Sequence, residues 1–389
     1  MIRLADRMNR LGTESAFEVL ARAKALEAEG RSVVHLEIGE PDFDTPENVV
    51  EAGVKALREG WTHYGPAAGL PQLREAVADE MKRTRGIDVG PENVVVFPGG
   101  KPCMSYLMEA LIQEGDDVIY PNPGFPIYES MIEFTGGRAV PLPLLEEKDF
   151  EFDAATVAEL ITPQTRLLIL NSPCNPTGGV LSRDLLEAVA EIVKEKDVFV
   201  LSDEIYSRIL YGEEFFSITQ VPGMLERTCI LDGFSKTYSM TGWRMGYGVM
   251  PVELAERITQ IAINYNSCTA SFSQIAGVEA LTGDQTAVTK MVDAFDRRRK
   301  LIVDGLNALP GVSCRMPRGA FYVFPNIRET GLGAKELSSR LLDEAGVAVL
   351  PGTAFGAHGE GYLRLSFANS EENIEEALRR MGDFLKANA

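Results

Sequence analysis

Short, unbroken apolar runs bounded by turn residues alternate with stretches of helical periodicity through the middle of the chain. This alternation constrains the fold more than any other feature of the sequence. Residues 94–97, 117–120, 167–171, 198–202, 229–232 and 245–250 read as strands, and 106–112 and 185–193 repeat apolar residues at helical spacing. Strands that read as continuous hydrophobic runs are those covered by helices on both faces, so the expected core is α/β, a mostly parallel sheet flanked by helices. From about Arg297 the pattern changes to a long helix, then to strand-like alternation over 320–324 and 362–367. A final helix follows, N-capped by Ser370, with Ile374, Leu378, Met381 and Leu385 on one stripe. We therefore expect a large domain over 46–290 and a smaller α+β domain over 291–389. The segment 1–45 is expected to contribute to the small domain and to cover the site.

Composition narrows the functions open to such a chain. Its 389 residues, 45% hydrophobic and 24% charged, suffice for a large core. The 38 Lys and Arg against 57 Asp and Glu leave a balance of −19 with no basic patch, which opposes nucleic-acid binding. Any anionic ligand must therefore be held by a few well-placed cations and amides. The five cysteines, Cys103, Cys174, Cys229, Cys268 and Cys314, are scattered and never in CxxC spacing, so a reducing, cytoplasmic setting is expected and structural zinc is not. No run approaches the roughly 18 apolar residues of a membrane span, and the N-terminus lacks a signal-peptide core. Three histidines make a metal cluster unexpected. GxGxxG, GxxxxGK[ST], HExxH and GxSxG are all missing.

The chemistry must lie elsewhere, and three segments carry it. In Asp232-Gly-Phe-Ser-Lys236-Thr-Tyr-Ser-Met-Thr-Gly-Trp-Arg244-Met-Gly246 a lysine follows a buried strand, at the end where open α/β sheets bind ligands. Desolvation there makes a lysine a Schiff-base nucleophile, and an arginine eight residues on can grip a phosphate. The alternative is a surface Lys and Arg in a loop. Leu201-Ser-Asp203-Glu-Ile-Tyr206 ends another strand with an acid and a phenol, suited to the two ends of one aromatic cofactor, unless Asp203 is a helix N-cap. Asn175, in Asn171-Ser-Pro-Cys-Asn175-Pro-Thr-Gly178-Gly179, either forms a turn or donates its amide to the same oxyanion as Tyr206.

In this order and spacing the three segments resemble the pyridoxal-phosphate enzymes of fold type I, specifically the class I/II aminotransferases. The resemblance extends through Ile38-Gly-Glu-Pro-Asp-Phe-Asp-Thr-Pro46, Tyr64-Gly-Pro-Ala-Ala-Gly-Leu, Gly319-Ala-Phe-Tyr-Val-Phe and Tyr362-Leu-Arg364-Leu-Ser-Phe, essentially the whole chain. It implies that Lys236 forms the Schiff base with pyridoxal 5′-phosphate and moves the substrate proton, and that Asp203 pairs with the pyridine nitrogen. By the same resemblance Tyr206 and Asn175 bind the 3′ oxygen, while Arg244, Gly99, Gly100, Lys101 and Ser235 surround the phosphate. Phe125 would stack on the ring. Arg364 and Gly39 would meet the substrate α-carboxylate, and Tyr64 would reach the phosphate of a neighbouring subunit, implying a homodimer with shared sites. One departure stands out: relatives often carry Ser or Thr where this chain has Gly233.

The resemblance implies ping-pong transfer between an L-amino acid and a 2-oxo acid, with 2-oxoglutarate the usual acceptor. Lys101 resembles the lysine of the Gly-Gly-Lys motif in bacterial aspartate aminotransferases, which meets the distal carboxylate of acidic substrates; alternatively it only adds positive potential or points to solvent. An aspartate-type enzyme is the first expectation, with an aromatic or broad-range aminotransferase as the alternative. A β-lyase, decarboxylase or oxidative deaminase on the same scaffold also stays open. Phe17 lies in the segment expected to fold over the substrate, and residues 264–269 can serve a partner's pocket. Because the family motifs begin by residue 38, a fused DNA-binding module is not expected.

Overall fold

The computed structural model describes residues 2–388. The strands are β1 (Val34–His35), β2 (Val94–Phe97), β3 (Asp117–Asn122), β4 (Arg138–Pro143), β5 (Thr165–Asn171), β6 (Phe199–Asp203), β7 (Thr228–Gly233), β8 (Gly246–Val249), β9 (Tyr322–Val323), β10 (Val347–Ala348), β11 (Leu350–Pro351) and β12 (Leu363–Ser366). Seven form one sheet in the order β2-β8-β7-β6-β5-β3-β4. Its pairs from β4 to β7 are parallel, whereas β8 runs antiparallel to both neighbours.

The expected α/β architecture is the observed one, and the side chains show why its strands read as unbroken apolar runs. Successive strand residues face opposite ways. Leu167 and Ile169 pack with the helices Gly100–Leu111 and Val252–Tyr265, while Leu168 and Leu170 pack with Arg183–Lys196. Chain order reverses between β3 and β5, and loops leaving the carboxyl ends of parallel strands beside such a reversal form a crevice. Asn171, Asp203 and Gly233 close β5, β6 and β7 at that end.

A smaller set of elements faces the crevice. There β9, β11 and β12 form an antiparallel sheet, and β1 pairs in parallel with β10 through Val34 and Val347. Two helices, Thr286–Asn307 and Glu371–Ala387, close this layer's core. The hydroxyl of Ser370 accepts the backbone N–H of Asn373, the expected N-cap, and Ile374, Met381 and Leu385 are buried on the expected stripe.

The long helix begins at Thr286, eleven residues before the pattern change at Arg297. The edge strand β4 escaped the sequence reading: Arg138, Pro141 and Pro143 interrupt its apolar run, as edge strands tolerate.

Candidate active site

The crevice holds a cavity of about 590 Å³, and Lys236 reaches into it from the turn after β7. The amine donates to the carbonyl of Gly39 at 2.5 Å. Desolvation lowers its pKa to about 8. Arg364 and Arg244 push the same way and Glu40 opposes, so a neutral, nucleophilic amine is accessible near neutral pH.

At the inner end, Asp203 closes β6 and is buried. Its carboxylate accepts the phenol of Tyr128 at 2.5 Å and the backbone N–H of Ile205 at 3.3 Å. No helix starts after it, which removes the N-cap alternative. Burial pushes this carboxyl up to about 6, against the two hydrogen bonds that favour its charged form. Asn171 is the turn-forming asparagine: its side chain accepts the N–H of Asn175 at 2.9 Å and donates to the carbonyl of Asp203 at 3.1 Å. The side-chain oxygen of Asn175 instead accepts from Arg364 at 3.3 Å, and the Tyr206 and Tyr322 hydroxyls share a 2.7 Å hydrogen bond.

A second wall joins the start of the helix Gly100–Leu111 to Arg244. Gly99 has φ +99°, and a Cβ built on it would run into the Arg244 guanidinium. A Cβ on Gly246 would lie 2.8 Å from the Gly100 nitrogen, so these glycines keep amides and guanidinium together as a cradle for an anion at a helix N-terminus. The Gly233 departure has a packing cause. Gly233 registers with Gly246 across β7 and β8, and a Cβ there would sit 2.9 Å from the Gly246 Cα. Ser235 is buried and lines the cavity.

Arg364, on β12, is buried between the rings of Tyr322 and Phe355, 4.6 and 4.9 Å from their centroids. It donates to the Glu37 carbonyl, while its Nε has no partner among the described residues. A buried guanidinium with an unused donor suits a carboxylate ligand. At the mouth, Lys101 pairs with Glu14 and lies 5.7 Å from the Phe125 ring centroid, and Phe17 lines the opening. Tyr64, 91% exposed, and residues 264–269 lie outside this chain's cavity.

The profile of the family described as Aminotransferase class I and II matches residues 31–381. The chain belongs to that family. It is 40% identical over 380 residues to an aspartate aminotransferase of Pyrococcus horikoshii, covering 97% of this chain and 96% of that protein. It is 38% identical to an aromatic-amino-acid aminotransferase 2 of Thermococcus litoralis, covering 98% of each. Among solved structures, the aspartate aminotransferase of Thermus thermophilus with maleate superposes with a TM-score of 0.95 at 40% identity, covering 98% of this chain and 100% of that one.

As a family member, this aminotransferase brings Gly39, Gly100, Lys101, Phe125, Asn175, Asp203, Tyr206, Ser235, Lys236, Arg244, Arg364 and Phe17 to one cavity. The residues present suit a phosphorylated pyridine aldehyde: an amine of lowered basicity, a buried carboxylate, a glycine-lined cradle with an arginine, and an arginine with a spare donor. Three neighbours escaped the sequence reading. Tyr128 lies in the first turn of the helix Ile127–Thr135, just after Phe125, and its meeting with Asp203, 75 residues along the chain, had no local signal. Tyr322 lies within the Gly319-Ala-Phe-Tyr-Val-Phe segment, where the resemblance alone implies no role for it. Glu14 had no signal, because its meeting with Lys101 depends on how the N-terminal segment folds back.

Proposed function

We propose that this chain transfers an amino group between an L-amino acid, aspartate first, and a 2-oxo acid, with 2-oxoglutarate as acceptor and pyridoxal 5′-phosphate as cofactor. The observation that carries this reading is Lys236, its basicity lowered, in one cavity with the buried Asp203 and the buried Arg364. In this reading Lys236 binds the cofactor covalently, Asp203 takes the ring nitrogen, and Gly99, Gly100, Ser235 and Arg244 hold the phosphate. When bound, the cofactor supplies an electron sink for the pair released when the substrate Cα loses its proton.

The chain's own residues do the rest. The neutral Lys236 amine accepts the Cα proton and returns it to the other carbon, so transfer is a proton relay through one nitrogen. Asp203, ionised above about 6, keeps its ring partner protonated. Tyr206 and Asn175 are read as donors to the ring oxygen, and Phe125 as the stacking ring. Arg364, helped by Gly39, fixes the α-carboxylate so that the Cα–H bond faces Lys236. Lys101 then meets the distal carboxylate of an acidic substrate.

A second reading, an aromatic or broad-range donor, is favoured by one observation: Glu14 already occupies Lys101, and Phe17, Phe125 and Phe355 line the space beside it. A panel of amino donors with 2-oxoglutarate, followed by glutamate formation, tests both. Aspartate is expected to exceed phenylalanine in kcat/KM. The reverse order selects the second reading, and no glutamate from any donor refutes transamination.

We further read 46–290 as the cofactor-binding domain, with 1–45 joining 291–389; the β1–β10 pairing supports this. A homodimer sharing its sites is proposed because Tyr64, Ile263 and Tyr265 are large and exposed. Cytoplasmic residence is proposed from five unpaired cysteines. No described helix is long and apolar enough to cross a membrane.

A further inference from the structure

Beneath the cavity lies a buried ion cluster that the proposed reaction does not use. Arg85 ends the helix Pro71–Arg85 with its side chain 1% exposed. Its Nε donates to Glu204 at 2.6 Å, one terminal nitrogen to Asp232 at 2.7 Å and Ser207 at 3.2 Å, and the other to Thr84 at 2.8 Å. The second oxygen of Glu204 accepts from Ser202 at 2.8 Å and Ser217 at 2.5 Å, and Asp232 also accepts the Gly233 N–H at 2.7 Å. Each carboxylate has its hydrogen bonds, and one cation serves two anions.

The location gives the cluster its significance. Glu204 directly follows Asp203 and turns to the opposite side, so Asp203 meets Tyr128 while Glu204 meets Arg85. Asp232 is the penultimate residue of β7, four residues before Lys236. A single planar guanidinium thus bridges the ends of β6 and β7, the two strands that deliver the two central groups of the cavity. A guanidinium holds two carboxylates in fixed geometry better than an ammonium can.

We propose that Arg85 is a positioning residue: through Glu204 and Asp232 it locks the strand ends presenting Asp203 and Lys236, and it screens Asp203 from the two carboxylates behind it. The inference rests on the proposed role of Asp203.

Charge accounting shows why screening matters. With all three members ionised the cluster carries one net negative charge and, at a pH where both carboxylates stay ionised, two without Arg85; Asp232, pushed up to about 6 by burial and held down by Arg85, titrates in the same range as Asp203. Asp203 is held up first by burial, and Asp232 and Glu204 raise it further. Tyr128, Tyr206, Cys103 and Cys174 around it are neutral near pH 7, and Lys236 and Arg364 share its cavity as cations that stay in place in every variant of the cluster, so the cluster is the charge that substitution adjusts. An added negative charge shifts the Asp203 midpoint upward by about one pH unit, into the range where the enzyme must keep it ionised.

A series of charge states tests this. The readout is the pH midpoint of the Asp203 carboxyl carbon resonance in the cofactor-free protein, assigned by its loss in Asp203→Asn. A second readout is the pH dependence of binding 4′-deoxypyridoxine 5′-phosphate, which has the ring and phosphate but no aldehyde. Arg85→Gln is expected to raise both midpoints by about one pH unit, to a tenfold lower proton concentration. Arg85→Lys should leave them near wild type, and Glu204→Gln with Asp232→Asn should lower them. The triple neutral variant should fall between that pair and wild type, and it keeps the series informative if Arg85→Gln alone does not fold. Midpoints that stay fixed across folded variants, with only the melting temperature changing, overturn the proposal. Carbon midpoints that move while analogue binding does not also overturn it. If wild type binds no analogue at all, the cofactor reading itself fails, a distinct result.

Discussion

The two ends of the cavity are built differently. At the inner end, Asp203 and Asn171 close strands, Tyr128 sits on a helix packed against them and Lys236 lies in the turn directly after β7, with each strand held by two neighbours and each polar group paired at a defined distance. At the mouth, Glu14 and Phe17 lie at the start of the helix Ser15–Ala28, Phe17 is 61% exposed, and Lys101 meets Glu14 across an ion pair whose lysine is 47% exposed. Rigid elements hold groups that must stay in register for chemistry. A loosely held rim suits groups that select substrates and must move to admit them. The inner end should therefore control turnover, and the rim should control which amino acid is taken.

The largest effect belongs at the inner end. Lys236→Ala removes the nitrogen proposed to bind the cofactor and relay the proton, so turnover should vanish for every donor; a panel assay that still shows glutamate formation breaks the comparison at its strongest point. Asp203→Asn comes next. Its kcat should fall on the order of 10³-fold for all donors, about 4 kcal/mol of activation free energy. An unchanged kcat would remove Asp203 from the chemistry.

The same substitution should stabilise the cofactor-free protein. The folded Asp203 titrates at about 6, above its ordinary 3.8, so the folded chain binds the proton first. Stability on this account is gained as pH falls from 6 toward 3.8 and is lost as pH rises through 6. Asparagine avoids burying the charge, worth about 1–3 kcal/mol at pH 7. Denaturant unfolding of both proteins at pH 7 and pH 5 checks this: the gain should shrink at pH 5.

At the rim, effects should be smaller and donor-dependent. Lys101→Ser should raise KM for aspartate and 2-oxoglutarate about tenfold and leave alanine and phenylalanine nearly unchanged, the loss of one partly exposed charged contact. Equal changes for all donors would make Lys101 a phosphate auxiliary. Glu14→Gln should be the mildest, lowering KM for dicarboxylates about two- to threefold by freeing Lys101. A rise instead would show that Glu14 orients Lys101 rather than competing for it.

The sequence made the inner end legible because its residues follow buried strands, and a strand ended by a polar residue is visible in periodicity alone. Val94–Phe97 was read to the residue, and Lys236 and Asp203 were singled out from their positions after apolar runs. Tyr128, Arg85 and Glu14 were not legible. Each joins the site through contact with a residue far along the chain, and neither spacing nor composition encodes such a meeting. Glu204, next to Asp203 in the chain, carries no signal of its own, since its opposite orientation matters only once the Pro71–Arg85 helix packs behind β6.

The central claim is that one amine, Lys236, covalently holds a phosphorylated pyridine aldehyde. Purified protein supplemented with pyridoxal 5′-phosphate, reduced with borohydride and digested, reports this directly by peptide mass. The expected result is a single phosphopyridoxyl group on Lys236, absent without reduction. A label on Lys101 or another lysine, or no label in protein that remains folded, would contradict the claim.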